Sequence, residues 1–314
     1  MTNFAFVFPG QGSQTVGMLN DLATRFPLVT ALFAEVSDAL GYDVWRMVQQ
    51  DPEGKLNQTE FTQVAMLTAD VAVYRVLQQS AAIPAAMMAG HSLGEYAALV
   101  CAGAISLPGA ALLVAKRGQL MQSTVPLGSG AMAAIVGLSD EQVTLVCAEA
   151  STADEQVIPA NFNAIGQVVI AGHAAAVEKA ILLAEAQDAR MARVIPVSVP
   201  CHCPLLKEAA DLFAEYLAQA EFKIPQVPVI SNVDLSIYES AEQIRMLLKE
   251  QLYRPVQWVR TIQLMKENGI DWVIECGPGR VLSGLVKRID KSLQTLSVND
   301  QSSLDMLLKE DAIS

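Results

Sequence analysis

Short apolar runs alternate along this chain with longer stretches in which apolar residues recur at helical spacing. Residues 4–8, 86–89, 229–230 and 272–274 read as buried strands, each being a compact apolar run bounded by turn residues. Each leads through a turn into a segment of helical spacing. That rhythm predicts a mostly parallel sheet covered by helices on both faces.

One stretch departs from it. From residue 131 the pattern predicts strand 131–136, helix 140–150, strands 157–162 and 167–171, helix 174–186 and strand 193–199. Ser139 followed by Gln142 is a capping-box pattern at the first helix, and Asn163-Ala164-Ile165-Gly166 supplies a hairpin turn. A β-α-β-β-α-β order is the ferredoxin-like split unit. The expected organisation is a ferredoxin-like small domain, residues 127–198, inserted into a discontinuous large α/β domain made of 1–126 and 199–314. Pro126-Leu127-Gly128-Ser129-Gly130 fits a hinge between them, and a cleft is expected where the two bodies meet.

Composition narrows the class. Of 314 residues, 52% are hydrophobic and 17% charged, which excludes a disordered or solvated scaffold. No uninterrupted apolar run approaches the roughly 20 residues of a membrane helix. The opening Met1-Thr2-Asn3-Phe4 lacks the basic region of a secretory leader, so a cytoplasmic protein without a membrane partner is expected. The net charge of −12 argues against a nucleic-acid partner. Cys201-His202-Cys203 lacks a second ligand pair, so no metal is expected, and the five cysteines read as free thiols.

The chemistry concentrates in a few places. Gly90-His91-Ser92-Leu93-Gly94 satisfies G-x-S-x-G between a predicted strand and a predicted helix, the setting of a nucleophile elbow. The large domain is therefore expected to be α/β-hydrolase-like. Ser92 would stand at a helix amino end, where free N–H groups stabilise an oxyanion. A serine needs a base, and the chain has three histidines. His91 is expected to point away from the Ser92 hydroxyl as a hydrogen-bonded buried residue. His173 opens a helix and reads as a capping or surface residue. His202, beyond the predicted strand 193–199 and bracketed by Pro200 and Pro204, is the base candidate by elimination and placement.

An orienting carboxylate is harder to find: Asp234 and Glu275 both stand at predicted strand ends, and neither is specific. Pro9-Gly10-Gln11-Gly12-Ser13-Gln14 fails the G-x-G-x-x-G dinucleotide pattern at Thr15. Such a loop can instead bring the Gln11 amide beside the Leu93 amide as a second oxyanion donor. Cys276-Gly277-Pro278-Gly279 reads as backbone geometry alone. Lys116 and Arg117 lie on a helix with an apolar face; an inward Arg117 would need an anion, and spacing does not choose between that and a solvated pair.

With those residues in view, the chain resembles the malonyl-CoA–acyl carrier protein transacylases of bacterial fatty acid synthesis over residues 4–298. The resemblance rests on Phe8-Pro9-Gly10-Gln11-Gly12-Ser13-Gln14, Gly90-His91-Ser92-Leu93-Gly94-Glu95-Tyr96, Met121-Gln122 after Arg117, and Asn161-Phe162-Asn163. It continues with Val197-Ser198-Val199-Pro200 before His202, Pro255-Val256-Gln257-Trp258 and Glu275-Cys276-Gly277-Pro278-Gly279.

The resemblance implies Ser92 as nucleophile, His202 as general base, the Gln11 and Leu93 amides as oxyanion hole and Arg117 as clamp on a malonyl carboxylate. It implies that Gln251 holds the histidine through a carbonyl, a neutral orienter suited to thiol rather than water as acceptor. The implied substrates are malonyl-CoA and the phosphopantetheine thiol of acyl carrier protein, with no cofactor. An acidic carrier would find its patch at Lys287 and Arg288, or at Arg190 and Arg193, for which solvated roles fit equally well. Cys201, Pro204 and Leu206 depart from the family's usual residues beside the histidine and bear on the shape of the acyl pocket.

Overall fold

The computed structural model describes residues 2–126, 128–197 and 199–310. The described residues form eight strands: β1 (Phe4–Phe8), β2 (Ala85–Gly90), β3 (Gly130–Val136), β4 (Val157–Ala164), β5 (Gln167–His173), β6 (Met191–Val194), β7 (Trp272–Cys276) and β8 (Gln294–Val298). They divide into two four-stranded sheets, ordered β2-β1-β7-β8 and β4-β5-β3-β6.

The first sheet is parallel throughout. β1 is buried along its whole length because both of its faces are covered. Phe4, Phe6 and Phe8 pack into the core shared with the long helix Thr59–Ala81, whereas Ala5 and Val7 point to the other side, against Trp258 and Ile262. The alternation is the two-residue period of a strand with a core on each face.

Two expectations need correction here. Residues 229–230 form no strand: Val229 makes a single parallel bridge to Met88, and Ile230 bridges back to Ile237. The run is too short, since the next amide, Ser231 N–H, already turns to the Ser236 carbonyl. β8 was not anticipated, because Gln294-Thr295-Leu296-Ser297-Val298 is a half-buried edge with no compact apolar run.

The second sheet is antiparallel throughout, and its elements follow the expected β-α-β-β-α-β order. Helices Asp140–Ala150 and Ala174–Ala186 pack on it through Val143, Val146, Val177 and Ala180, over Ile135, Val168 and Ile170. The Ser139–Gln142 capping box is present, and the hairpin turns at Ile165-Gly166, where Gly166 takes φ 68°. The predicted strand 193–199 is displaced to Met191–Val194. Ile195 still donates to the Met132 carbonyl, but Pro196 has no N–H with which to continue the ladder. Residues 127 and 198, the ends of the expected insert, lie outside the described residues, as does Leu127 of the expected hinge.

The two bodies are stitched together at β4. Phe162 N–H donates to the Val256 carbonyl at 3.0 Å and Val256 N–H to the Ala160 carbonyl at 2.9 Å. Among the described residues, no helix is long and apolar enough to cross a membrane.

Candidate active site

The turn between β2 and helix Gly94–Cys101 has a steric reason for both glycines. A Cβ on Gly90 would lie 1.8 Å from the Gly94 carbonyl carbon, and one on Gly94 would lie 2.0 Å from the Phe8 carbonyl oxygen. Only bare backbone fits, so the chain folds back tightly and leaves Ser92 in the left-handed region at φ 54°. His91 N–H donates to the Phe8 carbonyl and fixes the turn to the end of β1. A Cβ on Gly10 would come within 2.8 Å of the His91 carbonyl oxygen, so the loop carrying Gln11 lies directly against the elbow. Leu93, buried, occupies the residue before the helix, and the Gln11 side chain is exposed.

His202 meets this serine from a segment 110 residues further along the chain: its Nε2 lies 2.7 Å from Ser92 Oγ. It sits in a tight turn at φ 61° rather than at a strand end, because β6 stops short. Two bonds hold it. Its main-chain N–H donates to the Leu252 carbonyl, and its Nδ1 lies 2.7 Å from the Gln251 main-chain carbonyl. The orienting group is therefore backbone, and a side-chain change such as Gln251→Glu leaves that acceptor in place. Burial, and after it the charge of Arg117, push the imidazole down to about 3, so it is neutral at physiological pH and can accept a proton at Nε2.

Arg117 faces inward. Its side chain is fully buried, with Nη1 donating to Gln63 Oε1 at 2.8 Å and Nη2 to Gln251 Oε1 at 2.9 Å, while Ser92 Oγ lies 3.4 Å from Nη2. Lys116 points outward to Gln119. Arg117 forms no ion pair among the described residues, and its Nε lacks a partner. A buried cation whose hydrogen-bond partners are neutral, beside a serine hydroxyl, has the chemistry to receive an anion.

The remaining candidates have structural places. Asp234 is exposed and accepts from Ser236. Glu275 caps helix Val281–Ile289 through the Leu282 and Ser283 amides. His91 Nε2 bonds Asn163 Oδ1 at 2.8 Å, across to β4, and His173 caps its helix without a side-chain bond to it, its Nδ1 accepting from Gln156 N–H. Cys201 is half-buried, Pro204–Leu206 is a single turn of 3-10 helix, and all five cysteines are free.

The chain matches the acyl transferase domain family over residues 5–307. It belongs to that family. Among its relatives, this acyl transferase is 53% identical to the malonyl CoA-acyl carrier protein transacylase of Escherichia coli, over 98% of this chain and all of the relative. The solved structure of the malonyl CoA-acyl carrier protein transacylase of Coxiella burnetii superposes with a TM-score of 0.96 at 48% identity, covering 98% of this chain and 97% of that one. A malonyl-transacylase solved in complex with a type II polyketide synthase acyl-carrier protein gives a TM-score of 0.96 at 52% identity, covering 98% and 99%.

Three residues of the site were not singled out from the sequence of this acyl transferase. Asn232 accepts from Ser92 N–H at 2.7 Å and donates to the Gly90 carbonyl at 2.7 Å, bracing both sides of the elbow. Gln63 receives Arg117. Glu95, fully buried, accepts from Tyr238 Oη, the Asn232 amide and Gln251 Nε2. Glu95 follows the elbow motif directly and had a positional signal; Asn232 and Gln63 had none, since their partners lie 140 and 54 residues away.

Proposed function

We propose that this acyl transferase moves a malonyl group from coenzyme A to the phosphopantetheine thiol of acyl carrier protein through a malonyl ester on Ser92, supplying fatty acid biosynthesis in the cytoplasm. His202 Nε2 takes the proton as Ser92 Oγ attacks the thioester carbonyl. The Gln11 and Leu93 amides receive the oxyanion, and the C–S bond breaks as His202 returns the proton to the departing thiol. The carrier's thiol then gives its proton to His202 and attacks the ester, freeing Ser92. The reaction needs no metal or redox cofactor.

The observation that carries the reading is Arg117: a buried guanidinium with only neutral partners, 3.4 Å from the nucleophile. Burial is the main cause that holds His202 down and the Arg117 charge the second; a malonyl carboxylate supplies the missing anion and offsets that second cause, so the base strengthens when the correct acyl group arrives. A neutral acetyl group does neither.

The same reading takes the large body as α/β-hydrolase-like (1–126 and 199–314) and the inserted body as ferredoxin-like (127–198). The strand order β4-β5-β3-β6 supports the second assignment. For the carrier, Lys287 is exposed beside Arg288, which reaches Gln167, and Arg190 and Arg193 are exposed on the smaller body.

Intact mass spectrometry after mixing with malonyl-CoA or acetyl-CoA tests the reading. A malonyl adduct that disappears in Ser92→Ala, with Arg117→Ala reversing the preference toward acetyl, is expected. Absence of any adduct, or rapid loss of the acyl group to water with carrier present, overturns it.

A further inference from the structure

Gln251 performs two tasks with different atoms. Its main-chain carbonyl holds His202, and its side-chain oxygen receives Arg117 Nη2. The second task requires a particular orientation of the amide, because a flipped Gln251 would point N–H groups at the guanidinium. Two acceptors impose that orientation through Nε2: the Ser92 carbonyl at 2.9 Å and a carboxylate oxygen of Glu95.

Every partner of Glu95 is a donor. Tyr238 Oη approaches Oε1 at 2.6 Å and the Asn232 amide approaches the same oxygen at 3.2 Å, while Gln251 Nε2 approaches Oε2. An acceptor on both sides is therefore required, and among neutral isosteres an amide cannot supply it. Glu95 is wholly buried, on the helix that begins at the elbow, and it reaches neither Ser92 Oγ nor the His202 ring by any of these bonds.

We infer that Glu95 is a positioning residue for acyl-group selection: it fixes the polarity of the Gln251 amide, and through it the pose of Arg117 beside Ser92. This rests on the reading of Arg117 as the receptor for the acyl carboxylate. Asn232 adds to the device, since its amide bonds Glu95 while its side chain braces the Ser92 backbone, so the nucleophile and the anion receptor share one frame. Burial raises the Glu95 carboxyl to about 7, while its hydrogen bonds from Tyr238, Gln251 and Asn232 and the charge of Arg117 favour the ionised form, in which all three donors find an acceptor.

The substitution Glu95→Gln keeps size and replaces one acceptor by a donor. With a donor facing Gln251, only the Ser92 carbonyl still holds the amide of residue 251, and its oxygen is held less firmly toward Arg117. Second-order rates of Ser92 acylation, read by mass spectrometry with malonyl-CoA and acetyl-CoA, are compared for wild type, Arg117→Ala and Glu95→Gln, with thermal unfolding as the check on folding. The malonyl-to-acetyl preference is expected to fall about tenfold in Glu95→Gln, the scale of one charge-assisted hydrogen bond. A merely structural role lowers both rates by the same factor and overturns the inference. Should Glu95→Gln fail to fold, Glu95→Asp retains the charge but draws it back from Gln251, and the same loss of preference is expected; an unchanged preference there also overturns the inference. If wild type shows no preference for malonyl, or Arg117→Ala keeps it, the reading of Arg117 itself falls.

Discussion

Two turns leave the first sheet at the carboxyl ends of parallel strands, and they are built alike. After β2 the chain runs Gly90-His91-Ser92-Leu93-Gly94 into a helix; after β7 it runs Cys276-Gly277-Pro278-Gly279 into another. Both need glycine for steric room. A Cβ on Gly277 would lie 2.0 Å from Asp70 Oδ1, as one on Gly94 would from the Phe8 carbonyl oxygen. What differs is the polar surroundings. Around the elbow, Asn232, Glu95 and Gln251 are bonded to one another, to the Ser92 backbone and to Arg117, and His202 meets the hydroxyl. Around the β7 turn, Glu275 caps a helix, and among the described residues buried Asp70 has no hydrogen-bond partner on either oxygen. Burial, followed by the charge of Glu275, pushes the Asp70 carboxyl well up. A glycine-flanked turn presents a residue; partners from distant segments set an imidazole and a guanidinium beside it at the elbow and none at the β7 turn among the described residues.

The largest effect should come from removing such a partner. His202→Ala is expected to slow acylation of Ser92 by about a thousandfold, measured by stopped-flow or quenched mass spectrometry. A loss under tenfold would mean that the elbow hydroxyl is no better served than a residue on the β7 turn.

Sterics come next. Gly94→Ala sets Cβ against fixed backbone and should lower unfolding free energy by roughly 3 kcal/mol or more. Gly279→Ala, whose Cβ would meet Ser13 at 3.3 Å and whose φ is 81°, should cost only about 1–2 kcal/mol. Urea unfolding of both proteins compares them, and equal losses would remove the distinction between a turn locked on backbone and one that can relax.

Asp70→Asn probes the unpartnered acid. Because the folded pKa of Asp70 is raised, the folded state holds a proton that the unfolded chain releases above about pH 4. Asp70 therefore lowers stability as pH rises, and its replacement by Asn should flatten that fall. The difference should reach the order of 1 kcal/mol or more between pH 5 and 8, read from unfolding curves at each pH. A slope identical to wild type would show that Asp70 has found a partner.

The smallest expected effect is none. With His202 held down to about 3, its imidazole resonances followed by NMR should show no titration step at the ordinary value of 6.5. A clear inflection there would mean that water reaches the imidazole more freely than its burial implies.

Local features were legible where the physics is local. The elbow could be recognised because a strand, two glycines and a helix start are adjacent in sequence, and steric exclusion acts over five residues. The capping box and hairpin of the smaller body are equally local. Strand 193–199 was misplaced because apolar character continues past Pro196, although its missing N–H ends the pairing. β8 escaped because an edge strand needs no continuous apolar run. The orienting group was illegible for a different reason: the histidine's acceptor is a backbone carbonyl, a group every residue carries and no pattern distinguishes.

By itself the sequence determined the glycine-flanked turn at Ser92, the buried strand β1 and the order of elements in the smaller body, since propensity and steric room belong to neighbouring residues. Tertiary structure alone decided that Ser92 meets His202 across 110 positions, that Arg117 turns inward and that Gln251 joins the two. Those choices depend on desolvation and hydrogen-bond geometry, which exist only once distant segments have been packed together.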